Sequence, residues 1–214
     1  MTTQTATTRK AFSSDDIGAL FAPPLRQLTP VEVFEISRAR LADAKLATAD
    51  MFDRFADRLP ADGTPFLLVP PQPRPVSEMD WNEYMARIQL NGKMGQNFLT
   101  VSALSDLDPL VTVPRMLVGV EDGRQRLNTK PSVAQSNIES AGRFGYGLWA
   151  GYIHLMVFSE VLNHHYMDLV RSRFVSGGVP CLCLGGGEPA LLADWSDGAF
   201  PGWGAPSFGS VIEG

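Results

Sequence analysis

Apolar residues recur at helical spacing early in the chain and as short solid runs later. Phe34, Leu41, Thr48, Phe55 and Leu59 form one helical stripe. Thr29-Pro30-Val31-Glu32 ahead of it carries three start signals: a Thr N-cap, Pro at the first helical position, and Glu three residues after the cap. The pattern predicts a helix from Thr29–Pro30 to Pro60, with a break near Thr48 because such a length is long for one helix. Pro65 to Pro70 is an apolar run bounded by prolines and predicts a buried strand. A stiff linker follows, with prolines at 70, 71, 73 and 75. A second helix is expected with its cap at Ser77 and Trp81, Tyr84, Met85 and Ile88 on its buried face. Asn91-Gly92 would stop it.

The second half predicts most of the sheet. Arg115 to Val120 reads as a strand running into the turn Glu121-Asp122-Gly123, and Pro131 to Ala141 as a short helix ended by Gly142. Leu148 to Leu162 is apolar on nearly every side, the mark of a central helix. Tyr166–Phe174, Val179–Leu184 and Ala190–Trp195 are strand candidates separated by glycine turns, as in an antiparallel meander. The fold class expected is α+β: an antiparallel sheet of about five strands, a buried central helix and an N-terminal helical half packed on it. By segment this gives a disordered tail over 1–14, a mainly helical half over 15–112 with one strand near 65–70, and a sheet-forming half over 113–214, in one domain. The glycine-rich stretch 196–214 is too irregular for a helix or central strand, but Trp203 and Phe208 imply that it packs on the body.

Composition narrows the function classes. A net charge of −5 argues against nucleic-acid binding. The longest apolar run, Leu148 to Phe158, falls short of the roughly 20 residues a membrane span needs. Two cysteines cannot make a disulfide framework. The Thr-rich start has no apolar core of a secretory signal. With only four lysines among 18 basic residues, the usage points to a cytoplasmic bacterial protein.

Candidate chemistry is sparse. His164 and His165 follow the apolar helix and are the candidate acid–base groups, since a helix C-terminus favours the imidazolium. Arg124, Arg126, Lys130 and Arg143 crowd the turn and helix boundaries. Arg171 and Arg173 alternate with Ser172, so both point one way. A guanidinium fork suits carboxylate or phosphate. Arg126, Asn128, Arg143 and Arg173, with Trp203 as a wall, are the candidate substrate-binding residues, and Trp195 is a second possible wall. Cys181 and Cys183 share a strand face and read as buried, reduced thiols, although with a histidine they would also suit zinc. No cofactor or metal is implied. Gly142-x-x-Gly145-x-Gly147 and Gly185-Gly186-Gly187 match no phosphate-binding loop.

From residue 113 to about 195 the chain resembles an actinobacterial domain family of unknown function. The matching words are Met116-Leu117-Val118-Gly119-Val120-Glu121-Asp122-Gly123, Leu127-Asn128-x-x-Pro131-x-x-Ala134, Gly142-Arg143, Ser172-Arg173, Val179-Pro180 and Gly187-Glu188-Pro189. The resemblance implies no activity. The chain departs from the family at Cys181 and Cys183, where an alanine and a tryptophan are usual. It also lacks the family's histidine near Phe200-Pro201-Gly202-Trp203-Gly204.

Two functions follow as expectations. One is a cofactor-independent enzyme of lyase or cyclase type, acting on a small anionic metabolite by elimination, cyclisation or isomerisation in specialised biosynthesis. The alternative is a non-catalytic binding or partner subunit, with a protein partner or a second copy.

Overall fold

Thr29 starts the first helix as the sequence predicts. In the computed structural model, which describes residues 28–48 and 50–214, α1 (Pro30–Asp43) carries a complete capping box. Glu32 N–H donates to Thr29 Oγ1 at 3.2 Å, and Thr29 N–H donates to Glu32 Oε2 at 2.7 Å. Val33, Phe34, Ile36 and Leu41 are buried. The helix stops well short of Thr48. Lys45 takes a left-handed φ of 57°, Leu46 N–H bonds Leu41 O, and Lys45 N–H bonds Ala42 O. That is a Schellman closure built on lysine in place of glycine, so it leaves little trace in the sequence. Phe55 is buried on a separate short 3-10 turn, Asp53–Arg58. The expected tail over 1–14 lies outside the described residues.

Along the chain follow β1 (Phe66–Val69), α2 (Trp81–Arg87), β2 (Gln89–Leu90), β3 (Lys93–Met94), β4 (Gln96–Asn97), β5 (Leu104–Asp106) and β6 (Arg115–Val118). Next come α3 (Pro131–Ser140), β7 (Phe144–Gly145), α4 (Leu148–Phe158), β8 (Tyr166–Asp168), β9 (Ser172–Phe174), β10 (Gly178–Gly185) and β11 (Glu188–Trp195). The tail adds β12 (Trp203–Gly204), β13 (Ser207–Phe208) and β14 (Ser210–Glu213).

Two local readings are corrected. The cap of α2 is Asp80, not Ser77: its carboxylate accepts from Asn82 N–H and Glu83 N–H at 3.1 Å, while Val76–Glu78 forms a 3-10 turn. Asn91-Gly92 does not end a helix, since α2 is over at Arg87. With φ of 53° and 76° it is the two-residue turn of the β2–β3 hairpin, the conformation for which Asn-Gly is favoured.

The chain is α+β, with its strands in several sheets. One sheet has three antiparallel strands, β1-β6-β14, so part of the irregular tail becomes a strand. The largest has seven, running β12-β8-β10-β11-β4, with β9 also on β10 and β5 on β9. It is mainly antiparallel, but β4 and β12 join it in parallel. The expected strand 166–174 is two strands broken at 169–171, where Val170 N–H turns back to Asp168 O. β1, β4 and β5 come from the first half yet pair with β6, β11 and β9 of the second, so the halves interleave. α4 packs against α1, β1 and β10 and is buried along most of its length. No helix among the described residues is long and apolar enough to cross a membrane.

Replacing Thr29 by Ala should lower stability by about 1 kcal/mol, the usual cost of losing such a cap. Urea midpoints of the two proteins measure it, with the slope expected unchanged.

Candidate functional site

The loop after β6 and the C-terminal segment meet in a dense polar cluster. Glu121 and Ser207 exchange both backbone hydrogen bonds at 2.8 Å. The Glu121 carboxylate accepts from Gly123 N–H, Gln125 N–H and Arg126 Nη1. Ser207 Oγ accepts from Arg126 Nη1 at 3.2 Å and Arg143 Nε at 3.0 Å, and Arg143 Nη2 donates to Gly119 O at 2.6 Å. Burial raises the Glu121 carboxyl and lowers the Arg143 guanidinium, each disfavouring its charged form. The structure thus brings Arg126 and Arg143 together, but around a serine of the same chain.

His165 lies next to this cluster, and His164 does not. His165 is buried, with Nε2 at 2.8 Å from Asp122 O, while His164 is exposed. A carbonyl only accepts, so Nε2 carries the proton in the neutral ring and Nδ1 is bare; it is buried with no hydrogen-bond partner. Burial lowers the pKa of His165, against the pull of Asp122. Arg124 Nε stands 3.0 Å from Asp122 Oδ2, near enough for an ion pair but off the line of a hydrogen bond. Sequence reasoning overlooked His154, which α4 buries with Nδ1 at 3.3 Å from Tyr146 Oη; burial lowers its pKa to about 3. A lone histidine in an apolar run gives no signal of such neighbours.

The remaining candidates lie apart. Arg173 donates to the carbonyls of Val170 and Ser172 at 2.8 Å and to Gln135 Oε1 at 2.6 Å. Arg171 pairs with Asp108 at 2.6 Å and Glu139 at 3.0 Å, so Glu139, four residues before Arg143, serves another arginine. Asn128 has a left-handed φ of 57° and an exposed side chain, and its N–H donates to Trp203 O at 3.0 Å. Trp203 is half-buried against Tyr166, whereas Trp195 is 69% exposed and walls no core.

A cavity of about 250 Å³ opens at the N-terminal end of α4. Its walls include Val69, Leu117, Trp149, Ala150 and Phe208; Gln72, Asp106, Asp108 and Arg115 supply the polar lining. Trp149 is fixed by Nε1 donating to Pro70 O at 2.8 Å. Gly147 offers no capping side chain, so Ser172 Oγ accepts from Leu148 N–H at 2.7 Å and donates in turn to Asp106. Burial raises the Asp106 carboxyl, partly offset by those bonds. None of these residues was a sequence candidate, because they come from six separate segments.

Cys181 and Cys183 are free and buried, and burial raises both thiols, Cys183 to about 11. Across from Cys181 stands Asp168, which burial and Asp194 together push up to about 7. Among the described residues no three His, Cys, Asp or Glu side chains are arranged to hold a metal ion. No family model matches the chain, and neither a curated protein nor a solved structure gives a significant match.

Two expectations test these environments. Ser207→Ala strands two guanidinium donors and should cost ~1–3 kcal/mol in urea unfolding. Asp168 titrates near 7 folded and near 4 unfolded, so its contribution to stability is present below pH ~4 and is lost as pH rises through ~7. Asp168→Asn should therefore gain on the parent by ~1–4 kcal/mol between pH 4 and pH 8, read from urea midpoints at both.

Proposed function

We propose that the chain is a non-catalytic binding protein for a small apolar zwitterion, such as a hydrophobic amino acid, held in the cavity at the start of α4. The observation that carries this reading is the lining: aromatic and aliphatic walls with charges of both signs. Small-molecule sites have that composition, and a volume of about 250 Å³ suits a ligand below drug size. Arg115 keeps a buried Nε without a hydrogen-bond partner beside its ion pair to Glu213, a donor for a carboxylate. Asp106 and Asp108 already accept from Ser172 and Arg171, and their remaining lone pairs are the acceptors for an ammonium. The lining contains no His, Cys, Ser, Lys or Tyr, so its acid–base groups are carboxylates alone. Two free thiols suit a reducing compartment, and the reading takes the protein as bacterial and cytoplasmic.

The enzymatic reading draws support from a different place. His165 Nδ1 and Arg124 Nη2 are buried without hydrogen-bond partners, and unsatisfied groups of this kind accompany catalytic roles. It would make His165 the base for a small anion. The protein contacts already made by Arg126, Arg143 and Arg173 leave that reading the weaker of the two.

Calorimetric titration with L-phenylalanine, phenethylamine and 3-phenylpropionate tests the proposal. Phenylalanine should bind saturably and more tightly than either analogue. Arg115→Met should weaken phenylalanine and phenylpropionate roughly tenfold while leaving phenethylamine unchanged. Absence of saturable binding, or an equal response from the variant, would overturn the assignment.

A further inference from the structure

A second cavity, of about 680 Å³, lies at the opposite end of α4. Three helices end around it. Ala44 is the C-cap of α1, Ile88 that of α2 and Ser159 that of α4, and all three line the cavity. Helix C-termini present unpaired carbonyls and partial negative charge. Three of the carbonyls at these ends are already taken. Arg87 Nη1 donates to Ala44 O at 3.2 Å, Arg40 Nη1 donates to Val157 O, and Ser159 Oγ donates to Gln89 O at 2.9 Å.

The ionised groups of the lining are matched in number: Arg40, Lys45 and Arg87 against Asp43, Glu83 and Glu160. Arg87 is ion-paired with Glu83 on one wall and lies over the Tyr84 ring, 4.9 Å from its centroid. On another wall Arg40 stands 3.8 Å from Glu160 Oε2, close enough to balance its charge and too far for a hydrogen bond. That oxygen is buried and has no hydrogen-bond partner. What it lacks is therefore a donor and not a counter-charge. Asp43 and Lys45 are exposed at the rim and enter no ion pair among the described residues. Between the charged groups the floor is apolar: Ile88 and Leu155 are buried, Ala44 and Met156 half-buried.

These features select a ligand by charge. A cation would meet Arg40, Lys45 and Arg87, with helix-end carbonyls already occupied. An anion would meet three carboxylates and the negative ends of three helices. A neutral hydroxyl-bearing molecule meets neither penalty, since each hydroxyl both donates and accepts. We propose that this cleft binds a neutral sugar of disaccharide size. One hydroxyl donates to Glu160 Oε2, others lie on Arg40, Asp43 and Lys45, and a C–H face rests on Ile88, Leu155 and Met156. The volume falls within the range of about 300–1,000 Å³ usual for small-molecule sites. Both arginines are held by the protein before the ligand arrives, which lowers the cost of ordering them. The cleft shares no residue with the cavity at the start of α4, so the two assignments succeed or fail separately.

Maltose, cellobiose, lactose and trehalose are the neutral probes, titrated by calorimetry. Digalacturonate and the glucosamine dimer are their charged counterparts. At least one neutral disaccharide should bind saturably, and more tightly than either charged dimer. Glu160→Ala should weaken it roughly tenfold with circular dichroism unchanged. Lys45→Gly should weaken it roughly threefold with thermal stability unchanged or raised, since glycine suits the φ of 57° that lysine adopts there. The proposal is overturned if no neutral probe binds saturably, if a charged dimer binds more tightly, or if either folded variant binds like the parent.

Discussion

A helix that is apolar on every side cannot leave its first-turn N–H groups to water, and α4 meets this constraint with a residue from another strand. Gly147 has no side chain to offer. Ser172 at the start of β9 accepts from Leu148 N–H, and its own hydroxyl donates to Asp106 on β5. One hydroxyl thereby ties β5, β9 and α4 together. The arrangement also explains why Asp106 tolerates burial: its negative charge faces the positive end of the helix. The α4 cavity opens beside this junction, so its polar floor is a by-product of capping a buried helix.

The second fixed point is Ser207. Two guanidinium groups converge on one hydroxyl, and Glu121 holds the loop that carries one of them. Arginine was expected here to hold a ligand's oxygens. It holds the protein's own instead, through the same fork geometry, because the C-terminal segment supplies carbonyl and hydroxyl acceptors at the right distance. The result staples 203–209 to the loop after β6 and lets β14 reach β6 as its third strand.

What was legible in the sequence was local. Thr29-Pro30-Val31-Glu32 carries its capping box in four residues, Phe66–Val69 announces burial by composition, and Pro131 with Gly142 brackets α3. The readings that failed had two local solutions. Ser77 and Asp80 both precede Trp81, and the carboxylate nearer the first turn wins the cap. Asn-Gly serves a helix end or a tight hairpin equally well, and only the pairing of Gln89 with Met94 decides. The cavity was invisible for a different reason. Trp149, Phe208, Asp106 and Arg115 converge only after three sheets have formed, and nothing in their spacing encodes that meeting. His165 turns inward and His164 outward, a difference that a helix-end rule does not encode because it does not say which neighbour faces the core.

Strand alternation then accounts for how one chain can hold two unlike environments. On β10, Leu182 faces α4 and closes the main core, while Cys181 and Cys183 face away. On β8, Met167 is buried in that core and Asp168 takes the opposite face. A one-residue slip of β8 against β10 would bring Asp168 into the apolar layer packed on α4 and push Met167 outward. The carboxylate is therefore both a liability and a register lock: it is tolerable on the outer face alone. Gly151 contributes to the same specification, because a side chain there would hold α4 off Leu169 and open the layer that separates the two faces. The apolar packing of α4 on β10 and the placement of Asp168 are thus one constraint seen from two sides of the sheet.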